Sequence, residues 1–463
     1  MIWSIGCGWQ EKTKTRLILT KENFWAYWGV VLEQLTPVLL GLALLLSIST
    51  NLRMAVFPIG PGELILAMLA LVGVAYGKLW RHWKTPVVLF WVFACAGMLL
   101  GALAASQKGA LADHHSMAYV FTAAVTIGIS ALLMSLSNGA LRQVIYWLCI
   151  LTAIVLWFGF IVYISGDIAL AQILHMPDAD DVRYSGWSIN PNQLALFFVP
   201  LPVWVAAVWR DVAGPSRLQM AGFGLLLFAL MLMGLLVRSD GLLVVWVFEF
   251  IILIMLRLRW EMKASRMSLL AYALAMVLCV LLVKTFAHGE VRKSVRCAVE
   301  SISHGEGLWS AKCHEAQAFK DQKTFSIGYS DPVEKTGIRQ QLWQHGLQSW
   351  AASPWVGHGP GEYSWHATDA QGGRTEAMES HNITIDLLTQ GGILAGLAWI
   401  ALVSYLLINA WRIQDSYTFS VVLMMAAFTF FHNTRQPYFW FVLAMSYEAT
   451  RRRLFVSPPV DKA

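Results

Sequence analysis

The sequence predicts an all-α polytopic membrane protein, and three observations predict it. Of its 463 residues 57% are hydrophobic and 13% charged, with a mean hydropathy of +0.55, whereas soluble domains carry about 25% charged residues. Apolar runs of about 18–20 residues, enough to span a hydrocarbon core as helix, recur along almost the whole chain. The runs are continuous, which excludes the alternating strands of a membrane β-barrel. Helices remain, because they satisfy their backbone groups internally in lipid.

Twelve segments read as spans: 30–50, 62–77, 86–105, 117–136, 142–165, 191–209, 218–237, 241–257, 268–286, 383–411, 417–432 and 437–450. With the N-terminus inside, nineteen Lys and Arg fall in cytoplasmic segments, against five in the short outer loops (Arg53, Lys108, Arg183, Arg238 and Arg435). This asymmetry orients the chain with both termini in the cytoplasm. The net charge of +6 is thereby accounted for by topology, including the tail Arg451-Arg452-Arg453, and does not indicate nucleic-acid binding. Lys12, Lys14, Arg16 and Lys21 precede the first apolar run and no small-residue cleavage site follows closely, so that run is expected to stay as a span.

The chain divides into residues 1–286, a membrane domain of nine helices; 287–382, a polar loop domain on the outer face; and 383–463, three more helices and a cytoplasmic tail. Long polar loops of this kind are usually functional or disordered. Within the loop, 338–351 (IRQQLWQHGLQSWA) places Ile338, Leu342, Trp343, Leu347 and Trp350 at helical spacing and predicts an amphipathic helix. No internal repeat is visible. Cys95, Cys149 and Cys279 lie in or beside spans, where cysteine acts as a small hydrophobe. Cys297 and Cys313 lie in the exported loop, where they form either a disulfide or two free thiols.

Three clusters carry residues suited to chemistry. Arg183 lies in DADDVRYSGWSINPNQLAL; its planar fork suits phosphate oxygens, and it equally fits a surface pair with Asp180 or Asp181. Asn190-Pro191-Asn192 reads as a turn and helix start, with Pro191 at the first helical position. Asp178-Ala179-Asp180 imitates a short metal-binding string, of a kind common in loops. The second cluster, RQQLWQHGLQSWAASPWVGHGPGEYSW, places Arg339 one turn before Trp343 and ends its helix near Ser353-Pro354. Gly357, Gly359 and Gly361 then either let the backbone approach a ligand closely, as in anion-cradling turns, or form a flexible surface loop.

The third cluster is Ser380-His381-Asn382, where the chain re-enters the membrane. Ser380 is a good N-cap, which would put His381 in the first turn, where the positive helix end keeps its ring neutral. That placement suits a general base, although a histidine at a helix end is also an ordinary surface residue. Asp386 is five residues on, about 140° around the helix, and is not the natural orienting partner of His381; Thr384 is nearer its face. The six other loop histidines lack a compact metal-ligand spacing. Glu33, Glu63, Arg238, Asp240, Glu249, Lys284, His432 and Arg435 sit in or at the ends of spans and are functional candidates in lipid. Arg238, Asp240 and Arg435, near the outer face, are placed to line the same site as His381 and Asn382. Glu249 lies mid-span, where it suits a pair between helices.

Together these residues resemble the O-antigen ligase and polymerase superfamily. The resemblance rests on Arg183 before Asn190-Pro191-Asn192, Arg339 with Trp343, Pro354-Trp355-Val356-Gly357-His358-Gly359, and His381-Asn382 followed by Gly391-Gly392. It covers residues from about 180 to 410. The first five spans match only in being hydrophobic. One motif departs: members often show Ser-Arg-Gly where this chain has Ser239-Asp240-Gly241, with Arg238 as the substitute for the missing arginine.

The resemblance implies a GT-C-like fold of about twelve transmembrane helices in a bacterial inner membrane. It implies an inverting, metal-independent glycosyltransferase that needs no cofactor. The donor would be a glycan on undecaprenyl pyrophosphate, with Arg183 and Arg339 clamping the leaving pyrophosphate and His381 deprotonating the acceptor hydroxyl. A ligase passes the glycan to the lipid A core, a polymerase to another lipid-linked repeat, and related enzymes to protein serine or threonine; the ligase is slightly favoured. The implied partners are therefore the lipid-linked donor, a glycan or lipid A-core acceptor and membrane lipids, with no nucleic acid. A glycolipid transporter or flippase is the competing class, supported by the span count and Glu249. It is opposed by the long exported loop and by the lack of paired, broken helices in the sequence pattern.

Overall fold

The computed structural model describes residues 21–52, 59–76, 83–106, 113–165, 170, 173–174, 176, 184, 186–188, 191–210, 216–237, 239–260, 266–285, 332–360, 365–368, 374–378, 380, 382–429 and 436–456. Helices occupy all twelve predicted segments: α1 (Lys21–Ser47), α2 (Pro61–Tyr76), α3 (Pro86–Ser106), α4 (Asp113–Ser135), α5 (Asn138–Ser165), α6 (Pro191–Phe198) with α7 (Leu201–Arg210), α8 (Arg217–Leu236), α9 (Asp240–Arg259) and α10 (Arg266–Thr285). After α11 (Pro332–Ala352) and a short hairpin, α12 (Ile383–Arg412), α13 (Ser416–Phe428) and α14 (Pro437–Arg452) complete the described set. Proline opens α2, α3, α6, α11 and α14, at the position where its missing N–H would have had no helical partner. Six helices are each long and apolar enough to cross a membrane, and the other apolar helices are shorter.

The packing centre is α14. Every residue from Pro437 to Ala444 is buried, and among the described residues the helices packed against them precede α14 in the chain. Trp440 stacks on Phe90 of α3 at 4.6 Å and meets Trp91 edge-on at 4.7 Å, while Trp399 of α12 lies 6.0 Å away. Aromatic pairs in this geometry add about 0.5–1.5 kcal/mol each beyond their burial, and these three link α3, α12 and α14. The most extensive helix pairing is α3 with α12, followed by α1 with α5 and α2 with α4.

Two predicted spans are interrupted. The segment 191–209 was expected as one helix, but it breaks at Val199-Pro200 into α6 and α7. Pro200 and Pro202 bring no N–H to the carbonyls one turn back. Side chains replace what the backbone has lost: Tyr438 Oη donates to the Phe197 carbonyl at 2.8 Å and Trp246 Nε1 to the Phe198 carbonyl at 3.3 Å. The second interruption is in α12, where Gly392 has φ 63° and ψ −162°. The chain thus contains broken helices, and their absence no longer argues against a carrier.

At the opposite end of α14 from Pro437, arginines latch the bundle. Arg452 donates to the carbonyls of Leu133, Met134 and Leu136 at the end of α4, and shares the buried Glu448 with Arg451. Arg142 donates to the Leu454 carbonyl at 3.0 Å, and Arg257 bonds Tyr417. In the mid-span region Tyr272 of α10 donates to Glu249 of α9 at 3.3 Å, the interhelical pairing expected there. Glu63 accepts from the Gly60 N–H at 3.1 Å, and the exposed Glu33 from the Ser137 N–H at 3.1 Å.

The loop helix is longer than predicted, and its buried seam differs. Leu342 is 3% exposed but Leu347 is 45% exposed; Gly346 fills the contact, packing so closely on Ile385 that an added Cβ would lie 2.5 Å from it. The all-α expectation is also amended by an antiparallel hairpin, β1 (Trp365–Thr368) with β2 (Arg374–Met378), in which Trp365 pairs with Met378 and Thr368 with Arg374.

Candidate functional site

The start of α12 is built by three side chains. Asn382 is the N-cap: its Oδ1 accepts from the N–H groups of Thr384 and Ile385 at 3.0 and 3.3 Å. The sequence reading gave that role to Ser380 and put His381 inside the first turn; His381 instead precedes the cap. Serine and asparagine both cap well, and Ser380 has another task. Its hydroxyl accepts from the Asn382 N–H at 3.1 Å and donates to Asp386 Oδ1 at 2.5 Å. Asp386 is fully buried in the first turn of α12. From α11, Trp343 Nε1 donates to the Ser380 carbonyl at 3.1 Å.

One further turn along, the break in α12 accepts a loop. The N–H groups of His358 and Gly359 donate to the carbonyls of Thr389 and Gln390 at 2.8 and 2.9 Å, and the Ile393 N–H donates to the Pro354 carbonyl at 2.9 Å. Gly357 and Gly359 have φ of 69° and 82°. A Cβ on Gly357 would lie 2.7 Å from the Gln390 backbone, and one on Gly392 would lie 2.3 Å from the Trp355 carbonyl. The loop's polar groups are tied down as well: the Gly357 N–H donates to the Ser353 carbonyl at 2.9 Å, Ser353 Oγ to the Gly357 carbonyl at 2.7 Å, and His358 Nε2 to the Ser349 carbonyl at 2.7 Å.

This corrects both sequence readings of these glycines. The backbone does approach something closely, but that is another stretch of this chain, and the N–H groups that would face an anion are already used. Gly361 lies outside the described residues. The sequence reading also missed the third partner. Gly97 and Gly101 of α3 face the same junction, and added Cβ atoms there would lie 2.4 Å from the Gly391 carbonyl and 2.5 Å from the Gly359 N. The signal was present, since Gly97-x-x-x-Gly101 is the small-residue spacing that lets membrane helices approach closely.

Of the predicted site residues, Asn382 is placed as the cap. The backbone of Arg339 lies in α11, one turn before Trp343, and that of Asp240 opens α9. Arg183, Arg238, His381 and Arg435 lie outside the described residues, as do Cys297, Cys313, Asp178, Asp180 and His432. The chain around Arg183 is anchored nevertheless: Tyr184 Oη donates to the Leu156 carbonyl at 2.8 Å, Trp187 Nε1 to the Leu174 carbonyl at 2.7 Å, and the Asn51 N–H to the Trp187 carbonyl at 2.9 Å. Ser188 and Gln193 are joined at 3.1 Å. Among the described residues no three His, Cys, Asp or Glu side chains are grouped to hold a metal ion.

A bundle of apolar helices with a broken helix clasped by a loop is the class of protein that this fold and junction define. A family model described as O-antigen ligase matches residues 223–400. Those residues run from α8 through the loop to the second half of α12, and include Arg339, Trp343, the Pro354–Gly359 loop, His381-Asn382 and Gly391-Gly392. Over those residues the chain is similar to the O-antigen ligase family, in line with the resemblance its motifs carry. Arg183 and Arg435 lie outside the matched residues. No curated protein matches the chain.

Proposed function

We propose that the protein is an O-antigen ligase-type glycosyltransferase of the bacterial inner membrane, working at the periplasmic face without a metal. The observation that carries this reading is the junction inside the family-matched region: α11, which carries Arg339, the Pro354–Gly359 loop and the start of α12 capped by Asn382 meet there. The acceptor hydroxyl attacks the anomeric carbon as its proton passes to His381. The bond from that carbon to the pyrophosphate oxygen breaks on the opposite face, and Arg183 and Arg339 take up the charge that develops on the leaving group. The lipid pyrophosphate supplies the activation, so no cofactor is needed. Arg238, Asp240 and Arg435 would line the same mouth, and the ligase description of the matched family favours a lipid A-core acceptor.

Incubating the purified protein in liposomes with undecaprenyl-pyrophosphate glycan and lipid A-core tests the reading. Glycan joined to the core is the expected product. Elongated lipid-linked glycan would make it a polymerase, and movement across the bilayer without product would make it a carrier, a class in which broken helices also occur. His381→Ala should lower transfer by about 10²–10⁴-fold with donor binding kept; near-normal turnover removes His381 from the mechanism. Arg339→Lys retains the charge but loses the two-pronged geometry. It should recover only part of the roughly 2.7–4 kcal/mol that one charge-stabilising donor contributes. Wild-type rates in both Arg339→Lys and Arg183→Lys would refute the clamp.

A further inference from the structure

The neighbours of position 381 in the chain, Ser380 and Asn382, are held by bonds that the proposed transfer does not itself use. On one side Ser380 is buried, 2% exposed, with its carbonyl and its hydroxyl both engaged. Its carbonyl accepts from Trp343 Nε1 and its hydroxyl bridges the Asn382 N–H and Asp386 Oδ1. The Asn382 carbonyl lies 3.1 Å from the same hydroxyl. A hydroxyl has one proton, and the 2.5 Å contact to the carboxylate is the stronger acceptor. On the other side Asn382 is buried, 3% exposed, with its side chain spent on the cap. The backbone on each side of residue 381 is thus fixed to α11 and to the first turn of α12.

These bonds also span two elements. Trp343 is one helical turn from Arg339 on α11, so the bond from its indole to Ser380 sets the phase of that helix against the chain at 381. The short arm of α12 is in turn fixed by the loop seated in its break.

We infer that Trp343, Ser380 and Asp386 form a positioning relay that holds His381 in register with Arg339, through hydrogen bonds to the backbone on which His381 is carried. The inference rests on His381 as the base, and assigns roles to three residues that touch neither donor nor acceptor. Reacting groups misplaced by about 1 Å lose on the order of 10²-fold in rate. The relay therefore acts on kcat and leaves the donor KM alone.

The test is steady-state transfer by four purified proteins: wild type, Ser380→Ala, Ser380→Thr and His381→Ala, each with its thermal midpoint and active fraction. Ser380→Ala should lower kcat by about 10–10²-fold per folded molecule, with donor KM within about twofold. Ser380→Thr, which keeps the hydroxyl, should restore most of the rate. Trp343→Phe, which removes only the N–H donor from the ring system, should lower kcat in the same direction. A Ser380→Ala protein with wild-type kcat overturns the relay while an inactive His381→Ala protein leaves the base in place. A Ser380→Ala protein that is less stable but fully active per folded molecule also overturns it, by making Ser380 a structural residue only. An active His381→Ala protein overturns base and relay together.

Discussion

The two broken helices solve the same problem in opposite ways. At Val199-Pro200 the break is made by residues that lack N–H groups, and the orphaned carbonyls are satisfied by single side chains of core helices, Tyr438 and Trp246. At Gln390–Gly392 the break is made by backbone freedom, and the freed carbonyls are satisfied by the backbone of the Pro354–Gly359 loop. The first belongs to the core, and both of its side-chain donors come from buried helices. The second fastens the Pro354–Gly359 loop, and with it α11, to the helix capped by Asn382. A proline break is local, whereas a glycine break whose partner is another loop couples two regions of the chain.

The comparison is broken most decisively at Gly392. Its φ and ψ lie where essentially only glycine is found, a conformation that costs other residues about 1–3 kcal/mol, and an added methyl would lie 2.3 Å from the Trp355 carbonyl. Gly392→Ala should release the loop, abolish transfer in membranes and lower the thermal midpoint of the detergent-solubilised protein. Retention of full activity would mean that the loop does not need its seat. The first break should respond more weakly and in stability alone. Tyr438→Phe leaves the Phe197 carbonyl buried without that donor, a change worth about 1–3 kcal/mol, readable as a lower thermal midpoint. Turnover per folded molecule should stay at the wild-type value, and a large fall would place this break in the catalytic machinery as well.

The membrane helices were legible because apolar length and proline punctuation are local signals, and every predicted segment contains helix. The breaks were less legible, for physical reasons that differ. Pro200 is visible, but a proline in an apolar run reads as a kink until one knows that Tyr438, far along the chain, supplies the missing donor. Gly391-Gly392 stands out only as part of the family pattern after His381-Asn382, since nothing nearby in sequence announces that the Trp355 carbonyl occupies the space of a side chain. Ser380-His381-Asn382 offers two capping residues within three positions, and only the bonds from Thr384 and Ile385 select Asn382. The bond from Ser380 to Asp386 spans six residues and has no signal in the spacing. Among the site residues the motif spacing singled out Arg339 and Trp343 on one turn of α11, and the structure adds the indole bond to Ser380. The glycine spacing of α3 was fully visible and was passed over.

The central position of α14 has a consequence for how the molecule is made. All the elements that surround Trp440 emerge from the ribosome before it does, and domains are generally built from the N-terminal side during synthesis. Until α14 arrives, Phe90 and Trp91 face an unfilled seam, and the α4 carbonyls that Arg452 satisfies have no such donor. Insertion of α14 therefore acts as a closing step that completes the bundle at once, and a nascent chain halted before Pro437 would be a substrate for membrane quality control.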